Sequence, residues 1–432
     1  MNAERARTLA QWLEFIGRQH PDAIALGLDR VRAVMARMGI AFGCPVFTVA
    51  GTNGKGSVCA TLESILRISG RRVGLYTSPH LLRYNERVRI GGREATDGEL
   101  CASFAAVERA RDGTPLTYFE FGTLGAFRLF EQERLDAVVL EVGLGGRLDA
   151  VNSLDADCAV ITSVALDHVE LLGDSREAIG AEKAGIFRAG RAAVVADPDP
   201  PSSVLRAAAS AGARLLLLGR DFGYRVQAGQ WDYWGPAGTR ASLAYPALRG
   251  APQLRNAAAA LAALDALREQ LPVAMQDVRR GLAEVVLPGR FQVLPGRPQV
   301  ILDVAHNPEA ARSLAANLSA AGYAEESIAV FGMLRDKDIA AVVRAVGPRI
   351  TRWHLASLGG PRGASASELA RFLQAAGVTA PRTEHATPAA AFAAARGEAG
   401  ENDKIIAFGS FLTVAEVMQA LATGSSGPGT HG

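Results

Sequence analysis

The chain has 432 residues, with 46 lysines and arginines against 44 aspartates and glutamates, so its formal net charge is only +2. This balance gives no support to nucleic-acid or membrane-surface binding as the main role, and no apolar run is long enough to span a bilayer. The four cysteines show neither a CxxC pair nor zinc spacing, and the N-terminus lacks a signal-peptide core, so we expect a cytoplasmic protein.

Apolar strands alternate with helices along the first two thirds of the chain. Helical spacing over residues 1–44 is followed by a helix near Tyr118–Glu133 and another near Arg255–Glu269. The candidate strands are Val46–Ala50, Val73–Thr77, Ala137–Val142, Cys158–Val164 and Ala192–Ala196. Residues 214–247 lack helical periodicity and suggest a small antiparallel excursion. This alternation predicts an α/β fold with a mostly parallel sheet and helices on both faces.

Two Leu-Pro-Gly-Arg turns, starting at Leu287 and Leu294, predict a linker, after which the alternation of strands and helices restarts. The later candidate strands are Val300–Val304, Ser327–Phe331, Arg352–Leu358 and Lys404–Phe408. We therefore predict a first domain over residues 1–290 and a linker at 291–297. A smaller, Rossmann-like α/β domain is predicted over 298–423, with a disordered tail at 424–432.

A glycine-rich segment follows the first strand and precedes a helix. It reads Gly51-Thr52-Asn53-Gly54-Lys55-Gly56-Ser57. Strand, tight loop and helix point backbone N–H groups at a phosphate, and Lys55 adds a positive charge. Gly56 separates Lys55 from Ser57, unlike the Walker A pattern of kinases and GTPases. The segment predicts a phosphate loop in a nucleotide-handling enzyme, and a plain glycine turn is the alternative.

Polar side chains end several of the candidate strands. Glu141 closes one strand, Ser78 follows a second, and His168 follows a third. In an open parallel sheet, ligands bind beyond the carboxyl ends of the strands, and oxygen ligands near a phosphate loop suit Mg²⁺. We predict metal or phosphate contact at these residues. A salt-bridged carboxylate, a turn serine and a structural histidine are the alternatives.

Further candidates lie downstream. Lys183 lies in a partly apolar stretch, where desolvation would favour a neutral, reactive amine, although a solvated helix lysine is an equal alternative. The junction Asp303-Val304-Ala305-His306-Asn307-Pro308 offers an acid, an imidazole and an amide that also suits a helix cap. With Asn256 and Arg290 flanking the linker, these residues predict a nucleotide in a cleft between the domains.

Together these motifs resemble the Mur ligase superfamily, and within it the family of bifunctional dihydrofolate synthase/folylpolyglutamate synthases. The resemblance runs from about residue 10 to residue 420, and the family's phosphate loop departs from Walker A in the same way. It rests on the ordered segments Ala50–Ser57, Thr77–Leu81, Leu116–Glu120, Glu141–Ala150, Leu166–His168, Glu182–Ile186, Pro288–Phe291 and Asp303–Pro308.

The resemblance implies an ATP-dependent ligase that joins L-glutamate to dihydropteroate, and to the γ-carboxylate of reduced folates, through an acyl phosphate. We expect a monomer that uses ATP and Mg²⁺, with two ions. The implied nucleotide-binding residues are Gly51 to Ser57, Asn256, Arg290 and Asp303. The implied metal ligands are Ser78, Glu141 and His168, and the implied catalytic residues are Lys55, His168, Lys183 and His306. Lys183 corresponds to a lysine that is carbamylated in the superfamily.

The resemblance also implies a pterin pocket. Its lining residues would be Ala23, Ile24, Ala25, Leu26, Thr117, Tyr118, Phe119, Glu120, Leu148, Asp149 and Ala150. Ala25 departs from the family, since other members carry an acidic residue in this Ile-x-Leu-Gly segment, and the pattern Thr117–Glu120 resembles the bifunctional enzymes.

Three other interpretations are open. A folylpolyglutamate synthase without the first activity would share every motif. A peptidoglycan-type Mur ligase would carry a UDP-sugar domain of about a hundred residues before the loop, whereas 50 residues precede Gly51. A non-catalytic nucleotide-binding module predicts ATP binding without turnover.

Overall fold

The computed structural model describes residues 7–22 and 24–424. They form two compact units, of which one extends to Ala247 and includes Leu254–Val285, and the other comprises Leu248–Gln253 and the chain from Val286 onward. Ala23 and residues 425–432 of the predicted tail lie outside the described residues. The domain limits predicted above stay a prediction.

Helices are numbered in chain order. They are α1 (Leu9–Ile16), α2 (Asp29–Met38), α3 (Lys55–Ile68), α4 (Asp97–Arg111), α5 (Tyr118–Gln132), α6 (Val169–Leu172), α7 (Arg176–Ala184), α8 (Ser202–Ala211), α9 (Ala251–Ala266), α10 (Met275–Glu284), α11 (Pro308–Ala320), α12 (Ile339–Val346), α13 (Ala366–Ala375), α14 (Pro388–Glu398) and α15 (Phe411–Gly424). Short 3₁₀ helices occur at Tyr84–Arg87, Ala150–Ser153 and Gly347–Arg349. Among the described residues, no helix has the length and apolar character needed to cross a membrane.

Strands are numbered in the same way. They are β1 (Val46–Ala50), β2 (Val73–Tyr76), β3 (Val88–Ile90), β4 (Arg93–Glu94), β5 (Ala137–Glu141), β6 (Cys158–Ile161), β7 (Ala192–Val195), β8 (Arg214–Leu217), β9 (Gly223–Gln227), β10 (Gln230–Gly235), β11 (Gly238–Ala244), β12 (Gln292–Leu294), β13 (Gln299–Asp303), β14 (Ser327–Phe331), β15 (Arg352–Ala356), β16 (Arg382–His385) and β17 (Lys404–Phe408).

The first unit is built on an eight-stranded sheet in the order β4-β3-β2-β5-β1-β6-β7-β8. Neighbouring strands are parallel along β2-β5-β1-β6-β7-β8, and β3 and β4 form an antiparallel edge beside β2. Residues of β1 contribute to two different hydrophobic cores. Val46 and Ala50 belong to one core, and Phe47 and Val49 belong to the other. Because neighbouring strand residues point to opposite faces, this division shows that both faces are covered. The predicted sheet with helices on both faces is confirmed.

A small antiparallel sheet, β9 to β11, extends the first unit. Its anchor is Asp265 on α9, which is 4 % exposed. The carboxylate accepts hydrogen bonds from Tyr233 Oη at 2.7 Å and from Arg240 Nη2 at 2.6 Å. The antiparallel excursion predicted over residues 214–247 therefore begins later than expected, because Arg214–Leu217 forms the last parallel strand of the main sheet.

The second unit contains a six-stranded sheet in the order β12-β13-β17-β14-β15-β16. Only β12 is antiparallel to its neighbour. The side chains of Phe331, Trp353 and Phe408 pack against one another in its core, with ring centroids 4.9 to 6.1 Å apart. The predicted smaller α/β unit is confirmed, with β16 as a strand that the sequence analysis did not include.

Candidate active site

Hydrogen bonds to the segment that follows β6 fix the shape of the phosphate loop. The N–H of Thr52 donates to Ser163 O at 2.8 Å, and Thr52 Oγ1 donates to Ala165 O at 3.1 Å and accepts the Ala165 N–H at 3.0 Å. The N–H of Asn53 donates to Ser163 Oγ at 3.1 Å, and Thr162 Oγ1 donates to Asn53 O at 2.7 Å. These hydrogen bonds connect the loop after β1 to the segment that continues β6.

Two glycines of the loop occupy places where a side chain does not fit. Gly51 has φ +149°, and a Cβ there would lie 1.8 Å from Thr162 Oγ1. Gly54 has φ +94°, and a Cβ there would lie 2.6 Å from Asn256 Oδ1 on α9. Both loop glycines therefore pack closely against neighbouring side chains, with positive φ angles that glycine adopts without steric strain. The contact also brings the predicted nucleotide-binding residue Asn256 against the loop.

Lys55 is the first residue of α3, and its Nζ donates to Gly51 O at 3.0 Å and Thr52 O at 3.2 Å. The N–H groups of a first helical turn have no partners within the helix, and Gly56 and Ser57 belong to that turn. Positive charge and free donors therefore meet at one place. The geometry fits the phosphates of a nucleotide.

The strand order brings the predicted metal ligands to the same edge of the sheet. β5, which ends at Glu141, lies between β2, which precedes Ser78, and β1, which precedes the loop. Glu141 is 5 % exposed, and its Oε2 accepts the Ser78 N–H at 3.1 Å. His168 follows β6 on the other side of β1, and it is an exposed residue with φ +52° and ψ +41°. Left-handed backbone at a non-glycine residue is uncommon and often marks a functional position.

The donors at this edge of the sheet suit magnesium better than a metal whose ligands are all protein side chains. Across residues 7–22 and 24–424, no three His, Cys, Asp or Glu side chains form a ready-made metal cluster. Mg²⁺ is ordinarily held by one or two carboxylates together with water and phosphate oxygens. A buried carboxylate beside a serine and a phosphate loop fits that requirement.

The glycine loop after β5 is attached to α7, which carries Lys183. Lys183 is 4 % exposed. The Arg147 N–H donates to Glu182 O at 2.8 Å, and the two side chains form an ion pair at 2.7 Å. A Cβ on Gly146 would lie 2.8 Å from Lys183 O, so the loop backbone lies directly on the end of the helix. This contact places the loop and Lys183 together.

Asp149 holds that loop from within. Its carboxylate accepts the N–H groups of Leu144 at 2.8 Å and Val151 at 3.0 Å, and burial raises the pKa of Asp149 to about 6. The carbonyl of the neighbouring Leu148 accepts the Gly27 N–H at 3.4 Å. Leu148 therefore lies against the N-terminal Ile-x-Leu-Gly segment, which was predicted to share the pterin pocket with Leu148, Asp149 and Ala150.

The same N-terminal segment reaches α5 through Arg30. Arg30 Nη2 donates to Ala25 O at 2.7 Å and to Glu120 Oε1 at 2.8 Å. Glu120 also accepts the Thr117 N–H at 2.8 Å and is only 4 % exposed, so hydrogen bonds within the protein engage its carboxylate. Ile24 and Leu26, by contrast, are exposed apolar side chains, at 50 % and 37 %.

Aromatic rings flank the first turn of α5. The Tyr118 ring meets that of Tyr84 edge to face at 6.1 Å, and the Phe119 ring lies 6.0 Å from Tyr76. Tyr118 and Phe119 are both half-buried, and burial raises the pKa of Tyr118. Such rings offer a flat apolar surface to a planar heterocycle.

In the second unit, the predicted residues Arg290 and His306 both lie near Phe411. The guanidinium of Arg290 lies 5.1 Å from the Phe411 ring, and the His306 ring lies 6.1 Å from it. Asp303 accepts the N–H groups of Phe291 at 3.0 Å and Ala305 at 2.8 Å, and burial raises the pKa of Asp303 to about 6. His306 Nδ1 lies 2.8 Å from Val304 O, which fixes the ring orientation.

The comparisons with known proteins find one family over nearly the whole chain. Residues 49–264 match the Mur ligase middle domain, and residues 289–411 match the Mur ligase glutamate ligase domain. A dihydrofolate synthase/folylpolyglutamate synthase of Escherichia coli (strain K12) is 47% identical over 425 residues, which is 98% of each chain. The chain belongs to the dihydrofolate synthase/folylpolyglutamate synthase family of Mur ligases.

Solved structures of this family have the same fold. FolC of E. coli in complex with DHPP and ADP superposes with a TM-score of 0.93 at 47% identity, covering 98% of this chain and 99% of that one. A bifunctional folylpolyglutamate synthase/dihydrofolate synthase with Mn, AMPPNP and L-glutamate bound has a TM-score of 0.89 at 46% identity, covering 96% and 98%. The predicted resemblance, and the predicted function as an ATP-dependent ligase of this bifunctional family, are confirmed.

Two contributors to the site were missed from the sequence. The segment Thr162 to Ala165 shapes the phosphate loop, and its Thr-Ser pair directly after an apolar strand was the available signal. Phe411 packs against Arg290 and His306, and it follows the strand that lies beside β13 in the sheet. Nothing in the local pattern distinguished it from a core aromatic residue.

Proposed function

We propose that this chain joins L-glutamate to dihydropteroate, forming dihydrofolate, and to the γ-carboxylate of reduced folates, forming folylpolyglutamates. The observation that carries the proposal is the strand order β2-β5-β1-β6, which aligns Ser78, Glu141, the phosphate loop and His168 at one edge. A phosphate loop beside a buried carboxylate supports phosphoryl transfer to an acceptor carboxylate.

A free carboxylate is a poor acylating agent, so activation must come first. The acceptor carboxylate attacks the γ-phosphorus of ATP and forms an acyl phosphate, and ADP leaves. The amine of L-glutamate then attacks the acyl carbon, the amide forms, and inorganic phosphate leaves with the bonding electrons. Lys55 and the N–H groups at the start of α3 neutralise the negative charge that accumulates on the transferred phosphoryl group.

We assign Ser78, Glu141 and His168 as ligands for two magnesium ions. Magnesium, when bound, supplies positive charge to the phosphate oxygens. Carbamylation of Lys183 would convert its ammonium group into an anion, and the contact of this residue with the glycine loop that follows Glu141 supports that assignment.

The pterin ring is assigned to the surface formed by Ile24, Leu26, Tyr118 and Phe119. Exposed apolar and aromatic side chains suit a planar heterocycle. Glu120 is assigned a supporting role through Arg30. The methyl side chain of Ala25 cannot hydrogen bond to a pterin, and its carbonyl accepts from Arg30.

Within the second unit, we assign Arg290 and Asp303 to the nucleotide and His306 to the incoming glutamate. The proximity of Arg290 and His306 to one ring, Phe411, supports a shared site. We further propose domain limits at residues 290 and 298, a monomer, and a cytoplasmic location, which the free state of the four cysteines supports.

One incubation tests the proposal. Purified protein is mixed with ATP, Mg²⁺, L-glutamate and either dihydropteroate or tetrahydrofolate, and the products are weighed by mass spectrometry. A glutamate-sized mass gain on both acceptors is expected. No gain on either would refute the ligase assignment, and a gain on the folate alone would refute bifunctionality. The Lys55→Ala variant should lose turnover with both acceptors, and retained activity would remove Lys55 from the mechanism.

A further inference from the structure

The segment that supports the phosphate loop is also held from its other side. The N–H of Val164 donates to Asp197 Oδ2 at 2.6 Å, and Val164 O accepts from Arg176 Nε at 2.9 Å. Arg176 Nη2 in turn donates to Asp197 Oδ1 at 3.2 Å. We refer to these two side chains as the Arg176–Asp197 clamp.

The clamp takes the place of a strand neighbour. β6 ends at Ile161 and β7 at Val195, and Ala196 makes the last ladder hydrogen bond, with its N–H donating to Ile161 O at 2.8 Å. Beyond that point the backbone groups of Val164 bond to side chains. Residues on either side of Val164 bond to Thr52 and Asn53, as described above. In extended chain, successive residues direct their hydrogen bonds to opposite sides, so the two sets of contacts hold one segment between them.

The carboxylate of the clamp is well satisfied. Asp197 is 4 % exposed and also accepts the Asp199 N–H at 2.9 Å. Arg176 Nη2 donates to Asp199 O at 2.6 Å, which closes the connection between the two loops. Hydrogen bonds that involve charged groups in low-dielectric surroundings are strong and directional, so this arrangement defines one position of the backbone.

The clamp also sets the position of α7. Arg176 is the first residue of that helix and Lys183 lies seven residues later, which is two turns, or about 10.5 Å, along the same helix face. Ser175 caps the helix by accepting the Ala178 N–H at 3.2 Å. A helix whose first residue is bound to Val164 and Asp197 therefore presents Lys183 in a defined register.

We propose that the Arg176–Asp197 clamp positions the metal ligand His168 and the helix that carries Lys183, and that metal affinity depends on it. His168 is four residues beyond Val164 in the chain. The inference rests on the metal-binding role of His168 proposed above. Both clamp residues act through the backbone that they hold, as outer partners of metal ligands do.

The experiment uses electron paramagnetic resonance to measure Mn²⁺ binding in the presence of ADP. It compares the wild-type full chain with variants of the full chain. Arg176→Met keeps the length of the stem but removes the donors, and we expect a 10- to 100-fold rise in the Mn²⁺ dissociation constant, roughly the effect of removing such partners. The KM for ATP should rise with it, and the KM for glutamate should not change. A purely structural role would lower the melting temperature and leave the Mn²⁺ constant at the wild-type value, and that result would overturn the proposal.

Two further variants test whether the effect on Mn²⁺ binding is specific to the Arg176–Asp197 clamp. Asp197→Asn keeps one acceptor for the Val164 N–H and loses the charge, so it should fold and show a smaller rise in the Mn²⁺ dissociation constant. Asp199→Ala is the matched control, because its side chain is 92% exposed and pairs with the same arginine at 3.1 Å, and wild-type Mn²⁺ binding is expected. Equal effects of Asp199→Ala and Asp197→Asn would overturn the proposal.

A last variant separates this inference from the function on which it rests. His168→Ala should weaken Mn²⁺ binding if His168 is a ligand. Weakened binding in His168→Ala with wild-type binding in Arg176→Met refutes the clamp alone. Wild-type binding in His168→Ala refutes the metal role of His168 itself.

Discussion

Replacement of Gly54 by alanine tests the geometry of the phosphate loop directly. Gly54 has φ +94°, and the new Cβ would lie 2.6 Å from Asn256 Oδ1, closer than real Cβ contacts come. Asn256 is 3 % exposed, so its amide has little room to move away. Two penalties therefore combine, one from the left-handed backbone and one from the clash with Asn256.

A matched control separates these penalties. Gly190 lies in the same unit with φ +69°, and a Cβ there meets no atom within 4 Å. Gly190→Ala therefore carries only the backbone penalty, about 1–2 kcal/mol of unfolding free energy. Gly54→Ala adds an overpacking penalty of about 1–3 kcal/mol, for a total of roughly 2–5 kcal/mol. If the displaced loop loses about 1.4 kcal/mol of binding free energy for ATP, the KM for ATP rises roughly tenfold.

Urea unfolding measures the stability, and initial rates at varied ATP and saturating glutamate measure the KM. In an Asn256→Ala background the clash is gone, so the added cost of Gly54→Ala should fall to that of Gly190→Ala. The reasoning fails if Gly54→Ala loses no more stability than Gly190→Ala while its KM for ATP stays at the wild-type value.

The remaining predictions concern other parts of the molecule. His306→Ala should raise the KM for glutamate with little change in the KM for ATP, and an unchanged glutamate KM in initial-rate assays would count against the assignment. Since burial raises the pKa of Asp149 to about 6, the folded state binds that proton more tightly than the unfolded state, and ionisation of the group costs stability as the pH rises from 4 to 6. Urea unfolding at several pH values should show that the free energy of unfolding of Asp149→Asn rises relative to that of the wild type by up to about 3 kcal/mol between pH 4 and 7. A constant difference between the two proteins over this pH range would contradict the prediction. Tyr233→Phe removes the 2.7 Å hydrogen bond to the buried Asp265 and should cost about 1.5–3 kcal/mol of unfolding free energy at an unchanged KM for ATP, and full stability would show that the remaining donors, Arg240 and the Ala237 N–H, satisfy the carboxylate.

Much of the fold could be predicted because it rests on local signals. The strands β1, β5 and β6 are short apolar runs that end at glycine or polar residues, and buried parallel strands have this pattern. Arg214–Leu217 was assigned wrongly to the antiparallel excursion, because a short run next to a turn looks alike in parallel and antiparallel sheets. β16, with its exposed and charged residues at an edge, carries no apolar signal.

The amino-acid sequence by itself determined the phosphate loop, the polar residues at the strand ends and the family, since each depends on residue type and short spacing. The tertiary structure alone decided how these parts support one another. Gly54 needs its glycine because Asn256 approaches it from about 200 residues away in the chain, and the loop keeps its shape because Thr162 and Ser163 bond to it. The Arg176–Asp197 clamp holds that same segment from behind. Such contacts depend on strand order, and strand order comes from packing of the whole sheet rather than from any local pattern.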